Sequence, residues 1–363
     1  MRRLTIFLAA FSYAISAEAG GFEQVNQSAA AAGVSNAFVA TANDASALVY
    51  NPAGIAWLSG VVVSGGLDLG FRNSSVKTPS GIAPNKGGDA TLFQLYAAWS
   101  PHDSRFSGGV AISPLYQVNN DWKLSTGVTK LTVDHLSGDL VYAVDSDLAV
   151  GFGTDWYMTR ATINQGARQF SGKDMASFGA HLSLLWKPLP TWSVGGMLRS
   201  GSKVKIASNS SNLSFKLPDQ LTIAVAHDFA DNLRLETDLK WSRWSALKNM
   251  NITGATTQIN TMNLRDSLTL MAGLSWTWRE SAQLRMGYAY DQGANKTANY
   301  NPMIADQDGH IISIGAGGDM FGMHSDFAYQ YTFYSHKSAT GANPGTYRDR
   351  RQSIVFTVST AFN

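Results

Sequence analysis

The chain contains no cysteine among its 363 residues, which excludes disulfides and thiolate chemistry. Nothing after the N-terminus reaches the ~18 uninterrupted apolar residues of a transmembrane helix. Charged residues are only 15% of the chain, and the formal net charge of +2 gives no footing for a nucleic-acid partner. Catalytic signatures are missing as well: no G-x-S-x-G elbow, H-E-x-x-H pair, phosphate-binding G-x-x-x-x-G-K-[ST] loop or dinucleotide fingerprint occurs. The seven histidines include no pair at i, i+4, so a metal site has no support. These absences point away from an enzyme and from any cofactor. They leave open a Ser–His pair assembled across strands, because a triad is recognised by geometry and not by sequence order.

What the chain does have is alternation. From Leu233 to Ser242 every odd position except Thr237 is apolar, while Arg234, Glu236, Asp238 and Lys240 fill four of the five even ones. Period two is a strand with one greasy and one wet face. A membrane admits such strands only in a closed barrel, since only helices and closed barrels satisfy their backbone there.

The pattern recurs in about fourteen strand candidates, at 60–72, 90–100, 105–117, 129–144, 147–164, 174–187, 191–206, 214–229, 232–247, 265–278, 281–292, 309–317, 323–334 and 351–362. Tight turns such as Asp145-Ser146 and Arg279-Glu280 alternate with longer stretches such as 73–89 and 248–264. That asymmetry is expected of short periplasmic turns and long external loops. Trp99, Trp186, Trp192, Trp276 and Trp278 sit beside tight turns, and Trp241, Trp244, Tyr331 and Tyr334 near long loops. Two aromatic belts would place them at the two membrane interfaces.

The N-terminus reads as an export signal over 1–19: basic Met1-Arg2-Arg3, an apolar stretch from Leu4 to Ser16, then Ala17-Glu18-Ala19. Residues 20–59 do not alternate. Asp44 can cap a short helix over 45–50, and Pro52 can start a second turn through Ala53 to Trp57. The segment is too small to fold alone and too apolar for a free tail, so the barrel interior is its natural host.

Basic residues gather on the inferred external half: Lys77, Lys86, Lys203, Lys205, Lys296, Lys337, Arg348, Arg350 and Arg351. They could attract an anionic amphiphile, pair with lipopolysaccharide phosphates, or simply be a solvated rim. By parity with the outward Val194 and Leu198, Arg199, Lys203 and Lys205 face the lumen, as does Arg265 opposite Leu268, Leu270 and Leu274. These four are the candidates to hold a ligand carboxylate, because a buried anion needs a partner.

Several motifs in order, Gly20-Gly21-Phe22, Asn51-Pro52-Ala53-Gly54, Lys216-Leu217-Pro218-Asp219, Trp241-Ser242-x-Trp244, Leu264-Arg265-Asp266-Ser267 and Gly287-Tyr288-x-Tyr290-Asp291, resemble the outer-membrane long-chain fatty acid transporter (FadL-like) family. That family also includes aromatic-hydrocarbon uptake channels. The resemblance implies an all-β, transmembrane, antiparallel barrel of about fourteen strands. It also implies a small N-terminal α-helical hatch over 20–59 that plugs the lumen of a barrel spanning 60–363. Gly20, Gly21 and Phe22 would lie at a ligand pocket, and Asn51, Pro52 and Ala53 within the hatch.

Cargo would be a fatty acid or hydrocarbon, carried passively by a monomer in the Gram-negative outer membrane without a cofactor. It would leave sideways through a strand irregularity into the bilayer. Gly108-Gly109 followed by Pro114 in the third strand is the expected opening, because proline cannot donate to the ladder. A structural or adhesive barrel is the alternative of a different class.

Overall fold

The computed structural model describes residues 21–122, 127–165, 168–208, 211–230, 232–254, 258–279, 282–340 and 343–362. Residues 1–19 and Gly20 lie outside it. Fourteen antiparallel strands form a closed ring. In chain order they are β1 (Gly60–Thr78), β2 (Ala90–Ser100), β3 (Phe106–Asp121), β4 (Val128–Ala143), β5 (Leu148–Gln165), β6 (Arg168–Leu189) and β7 (Trp192–Arg199). There follow β8 (Gln220–Ala230), β9 (Leu233–Ser242), β10 (Ser267–Arg279), β11 (Ala282–Asp291), β12 (Gly309–Met320), β13 (Met323–Tyr334) and β14 (Gly345–Phe362). Each pairs with its chain neighbours, and β14 closes on β1 from Val61↔Phe362 to Lys77↔Thr346. Closure gives every strand of the ring two neighbours, so none is left as a fully open edge.

Period two carries through to burial. On β5, Val150, Phe152 and Trp156 face out, while Ala149, Asp155 and Tyr157 are buried inside. Trp99, Trp186, Trp192, Trp276 and Trp278 are exposed at the short-turn end of the wall, as belts require. Trp244 departs from that expectation. The strand ends at Ser242, and a 3-10 turn over Trp244–Ala246 folds the indole inward until it is fully buried. Tyr334 likewise borders an interior cavity.

The parity argument fails at two places. Between β7 and the short strand Lys203–Ala207 the ladder is interrupted at Ser200-Gly201-Ser202, with the Gly201 N–H donating to Asp219 Oδ1 at 2.8 Å. The interruption exchanges the faces. Val204 and Ile206 point into the core, and Lys203 and Lys205 are exposed. Arg265 also misses the lumen wall, because β10 begins at Ser267. Its Nε donates to the Gly293 carbonyl at 2.9 Å, and Nη2 lies 3.8 Å from Asp308. Arg199 alone of the four is buried and inward-facing.

Residues 21–59 lie against the inner wall as α1 (Ala29–Gly33), α2 (Ala47–Tyr50) and a 3-10 turn over Pro52–Trp57. The helix expected over 45–50 with Asp44 as its cap starts two residues later, at Ala47 with Ser46 in the N-cap position, and Asp44 accepts from Ser46 N at 2.7 Å and Ser46 Oγ at 2.5 Å. Asn51 Nδ2 donates to the carbonyls of Val39 (2.7 Å) and Leu184 (2.9 Å), and the Ala53 N–H to Ser183 Oγ at 3.0 Å. The motif Asn51-Pro52-Ala53 thus ties the segment both to itself and to β6. The helix Ala29–Gly33 has no sequence signal beyond its alanine run and the Ser28 cap.

Candidate functional site

The charged file that alternation exposes on β9 is the strip on which the N-terminal segment docks. Asp238 Oδ2 accepts from the N–H groups of Phe38 and Val39, both at 3.1 Å, and Glu236 Oε1 from Ala40 at 2.6 Å. Arg234 Nη1 donates to Thr41 Oγ1 at 3.4 Å, and Lys240 Nζ to Glu23 Oε2 at 2.9 Å. A turn with positive φ at Ser35 (51°) and Asn36 (67°) aims those N–H groups at the wall. Buried carboxylates need such donors, since leaving them unpaired costs heavily.

Two wall glycines make the approach possible. A Cβ at Gly195 would stand 2.3 Å from the Val39 carbonyl oxygen, and one at Gly287 2.2 Å from the Val34 carbonyl carbon.

At the start of the segment, Phe22 fills an aromatic slot. Its ring centroid is 4.7 Å from Trp244 and 5.7 Å from Tyr116, which meet each other edge-on at 5.9 Å. Gly21 has φ +84°, and the Trp244 ring lies 2.4 Å from where its Cβ would be, so both backbone and space demand glycine. Asp306 accepts from Ala294 N at 2.6 Å and Asn295 N at 3.1 Å, and the Gly21 N–H also faces it. Burial pushes the Asp306 carboxyl up, against the pull of those N–H donors.

Residues 21–24 stand between two small cavities. One, of about 90 Å³, lies toward the long loops and is bordered by Arg72, Arg351, Asp306 and Tyr334. The other, of about 70 Å³, lies toward Tyr50 and is bordered by Val49, Leu115, Met197, Arg199 and Lys240. Glu23 and Gln24 belong to both. Sequence reasoning missed Lys240 and Arg72 as cavity cations and placed Arg351 on the rim. Lys240 had its signal in the wet face of β9, whereas Arg72 and Arg351 meet Asp349 and Asp68 only through the closure of the ring.

The wall next to this site is irregular. β2 and β3 pair only from Leu95↔Ile112 to Trp99↔Gly108. Beyond Ile112 the alternation of β3 stops, with Ser113, Pro114, Leu115 and Tyr116 all buried, and the register with β4 slips between Pro114 and Tyr116. The N-terminal segment takes over as partner: Gln24 N donates to the Leu115 carbonyl at 2.7 Å and Gln117 N to the Phe22 carbonyl at 2.9 Å. Gln27 Nε2 bonds the Pro114 carbonyl at 2.9 Å. The expected place of the irregularity is therefore corrected in part. Gly108 and Gly109 sit where β3 is paired on both sides. Gly109 makes room instead for Leu48, whose side chain would be 2.6 Å from a Cβ there.

On β4 to β6, His181 bridges Asp139 (2.6 Å) and Asp155 (3.0 Å), and His135 also reaches Asp155 at 2.6 Å. These side chains are fully buried, and both His181 nitrogens face carboxylates, so the cluster stitches the wall together. At the short-turn rim Ser59 Oγ lies 2.8 Å from His102 Nε2. Both are exposed, and among the described hydrogen bonds no carboxylate orients that imidazole, so the third member of a triad is missing.

A model of outer membrane protein transport proteins (OMPP1/FadL/TodX) matches residues 10–184 and 192–361. The fold is similar to a Pseudomonas aeruginosa FadL homologue at TM-score 0.86 and 17% identity, over 95% of this chain and 100% of that one. It is also similar to the P. putida toluene transporter TodX at TM-score 0.68 and 16% identity, over 91% and 98%. A segment of 108 residues is 30% identical to outer membrane protein P1 of Haemophilus influenzae. That match spans 29% of this chain and 23% of the relative.

Proposed function

The chain belongs to the outer membrane protein transport family (OMPP1/FadL/TodX), and from that premise we propose that it conducts hydrophobic small molecules passively across the outer membrane, long-chain fatty acids foremost. The observation that carries this reading is the aromatic slot of Phe22, Tyr116 and Trp244 beside cavities bordered by Arg72, Arg351 and Lys240. An apolar tail and a carboxylate head need those two surroundings side by side, whereas a neutral hydrocarbon needs only apolar lining.

In this reading residues 1–19 are an export signal and the protein acts as a monomer. The short turns face the periplasm, the basic rim meets lipopolysaccharide, and the segment to residue 59 is the hatch that shuts the lumen. Cargo leaves at the seam between β2 and β3 beyond Ile112, because an acyl chain gains by entering hydrocarbon rather than periplasmic water.

Aromatic hydrocarbons are the second reading, favoured by the pairing of the cavity cations with acids: Arg72 with Asp349, Arg351 with Asp68 and Lys240 with Glu23. Uptake of labelled oleate and labelled toluene by cells with and without the protein separates the two. Protein-dependent oleate uptake supports the first, toluene alone the second, and neither would send the function back to the loops and an adhesive role. Deleting Leu115 and replacing Pro114 by Val, which removes the slip between β3 and β4, should abolish uptake while the barrel still folds. Uptake that survived it would move the exit elsewhere.

A further inference from the structure

The cations bordering the cavities differ in where their acids come from. The partners of Arg72, Arg199 and Arg351 are Asp349, Asp155 and Asp68, all on wall strands held by ladder hydrogen bonds. The partner of Lys240 is Glu23, on the N-terminal segment. Glu23 Oε2 also accepts from Gln220 Nε2 at 2.8 Å, so a single carboxylate oxygen takes both donors. The preceding residue, Phe22, holds the aromatic slot. A carboxylate on a cation and an apolar group in a slot, carried on adjacent residues of the partition between two cavities, have the outline of an amphiphilic acid.

We propose that Phe22-Glu23 is a tethered stand-in for the cargo, and that Lys240 is the residue which selects carboxylates. This deepens the transport reading above and rests on it. An incoming carboxylate with an apolar tail replaces the Glu23 carboxylate on Lys240 and Gln220, and its tail takes the slot that Phe22 vacates. One anion exchanges for another, so Lys240 is never left half-buried without a counter-charge. A neutral ligand that displaced the same segment would strand that ammonium, at the cost of an unpaired charge.

Withdrawal of the segment also frees the Leu115 carbonyl and the Gln117 N–H on β3, the edge that β2 leaves unpaired. Occupation of the slot is thereby tied to the seam.

The test is binding of oleate and of oleyl alcohol, its uncharged analogue, to the purified full-length protein in detergent, for wild type, Glu23→Gln and Lys240→Met. Each variant is first checked for the heat-modifiable migration of a folded barrel. Weakening the stand-in's hold on Lys240 lowers the cost of displacing it for either ligand, so Glu23→Gln should tighten oleate and oleyl alcohol alike, by about tenfold. Lys240→Met removes the partner of stand-in and cargo alike, so oleate should change little while oleyl alcohol, which no longer strands an ammonium, tightens by about tenfold and the two ligands come together. Unchanged affinities in Glu23→Gln and an unchanged oleate-to-alcohol ratio in Lys240→Met, with wild type binding both ligands, would overturn the stand-in and leave the transport reading in place. A wild type that bound neither ligand would overturn both.

Discussion

Replacing Glu236 and Asp238 together by Ala should turn a closed barrel into one that conducts ions. The two carboxylates hold the N–H groups of Phe38, Val39 and Ala40, three consecutive donors of the segment that lies against the inner wall. Each buried donor left without an acceptor costs about 1–3 kcal/mol, so the loss at 38–40 is comparable with the stability of a small domain. The wall is spared, because the ladders of β9 with β8 and β10 are made by backbone groups that the substitution does not touch. In planar bilayers the wild type should show no steady pores and the double variant should show long-lived ones. A double variant as silent as wild type would mean that apolar packing alone holds the segment.

Gly287→Val should be the most damaging single change in the wall that leaves every charge in place. The new Cβ meets the Val34 carbonyl carbon at 2.2 Å and the Ser35 nitrogen at 2.5 Å, and backbone cannot rotate out of the way as a side-chain tip can. Overpacking of this kind costs about 1–3 kcal/mol where neighbours can yield, and here the upper end is expected. The thermal midpoint of the heat-modifiable transition should fall by several degrees, and the segment should become open to added protease. Gly196→Val is the matched control, since nothing lies within 4 Å of a Cβ there. Equal midpoints for the two variants would refute the close-approach argument.

The wall was legible because alternation is local: a strand such as Leu233–Ser242 declares both faces without reference to any partner. The same stretch declared that Arg234, Glu236, Asp238 and Lys240 look into the lumen. It could not declare what they meet, because Glu23, Phe38, Val39, Ala40 and Thr41 come from a region with no period of its own. Position relative to a strand end was a weaker guide. Trp244 resembles a belt residue in sequence, yet one 3-10 turn carries it inside to become the floor under Gly21. Parity was reliable only while the ladder ran on, so Arg199 faced inward and Lys203 and Lys205, beyond the interruption at 200–202, did not. Pro114 marked the irregular stretch of β3 because its missing N–H is a local fact. The reason for Gly109 was invisible, since it depends on Leu48 arriving from the segment.

The first and last strands of the chain are neighbours in the wall, and this fixes an order of assembly. β14 lies along β1 for nearly its whole length, so the ring stays an open sheet until the most distant pairing of its strands forms. Residues 21–59 join β1 at Gly60, yet residues 22–24 add to the edge of β3 and residues 38–40 to the carboxylates of β9. Entering a ring already shut, the segment would have to thread the bore and give up water from each N–H before meeting its acceptor. Laid onto the sheet while one side is still open, it meets β3 and β9 directly. The last hydrogen bonds made in biogenesis are then those between β14 and β1, drawn around a passenger already aboard.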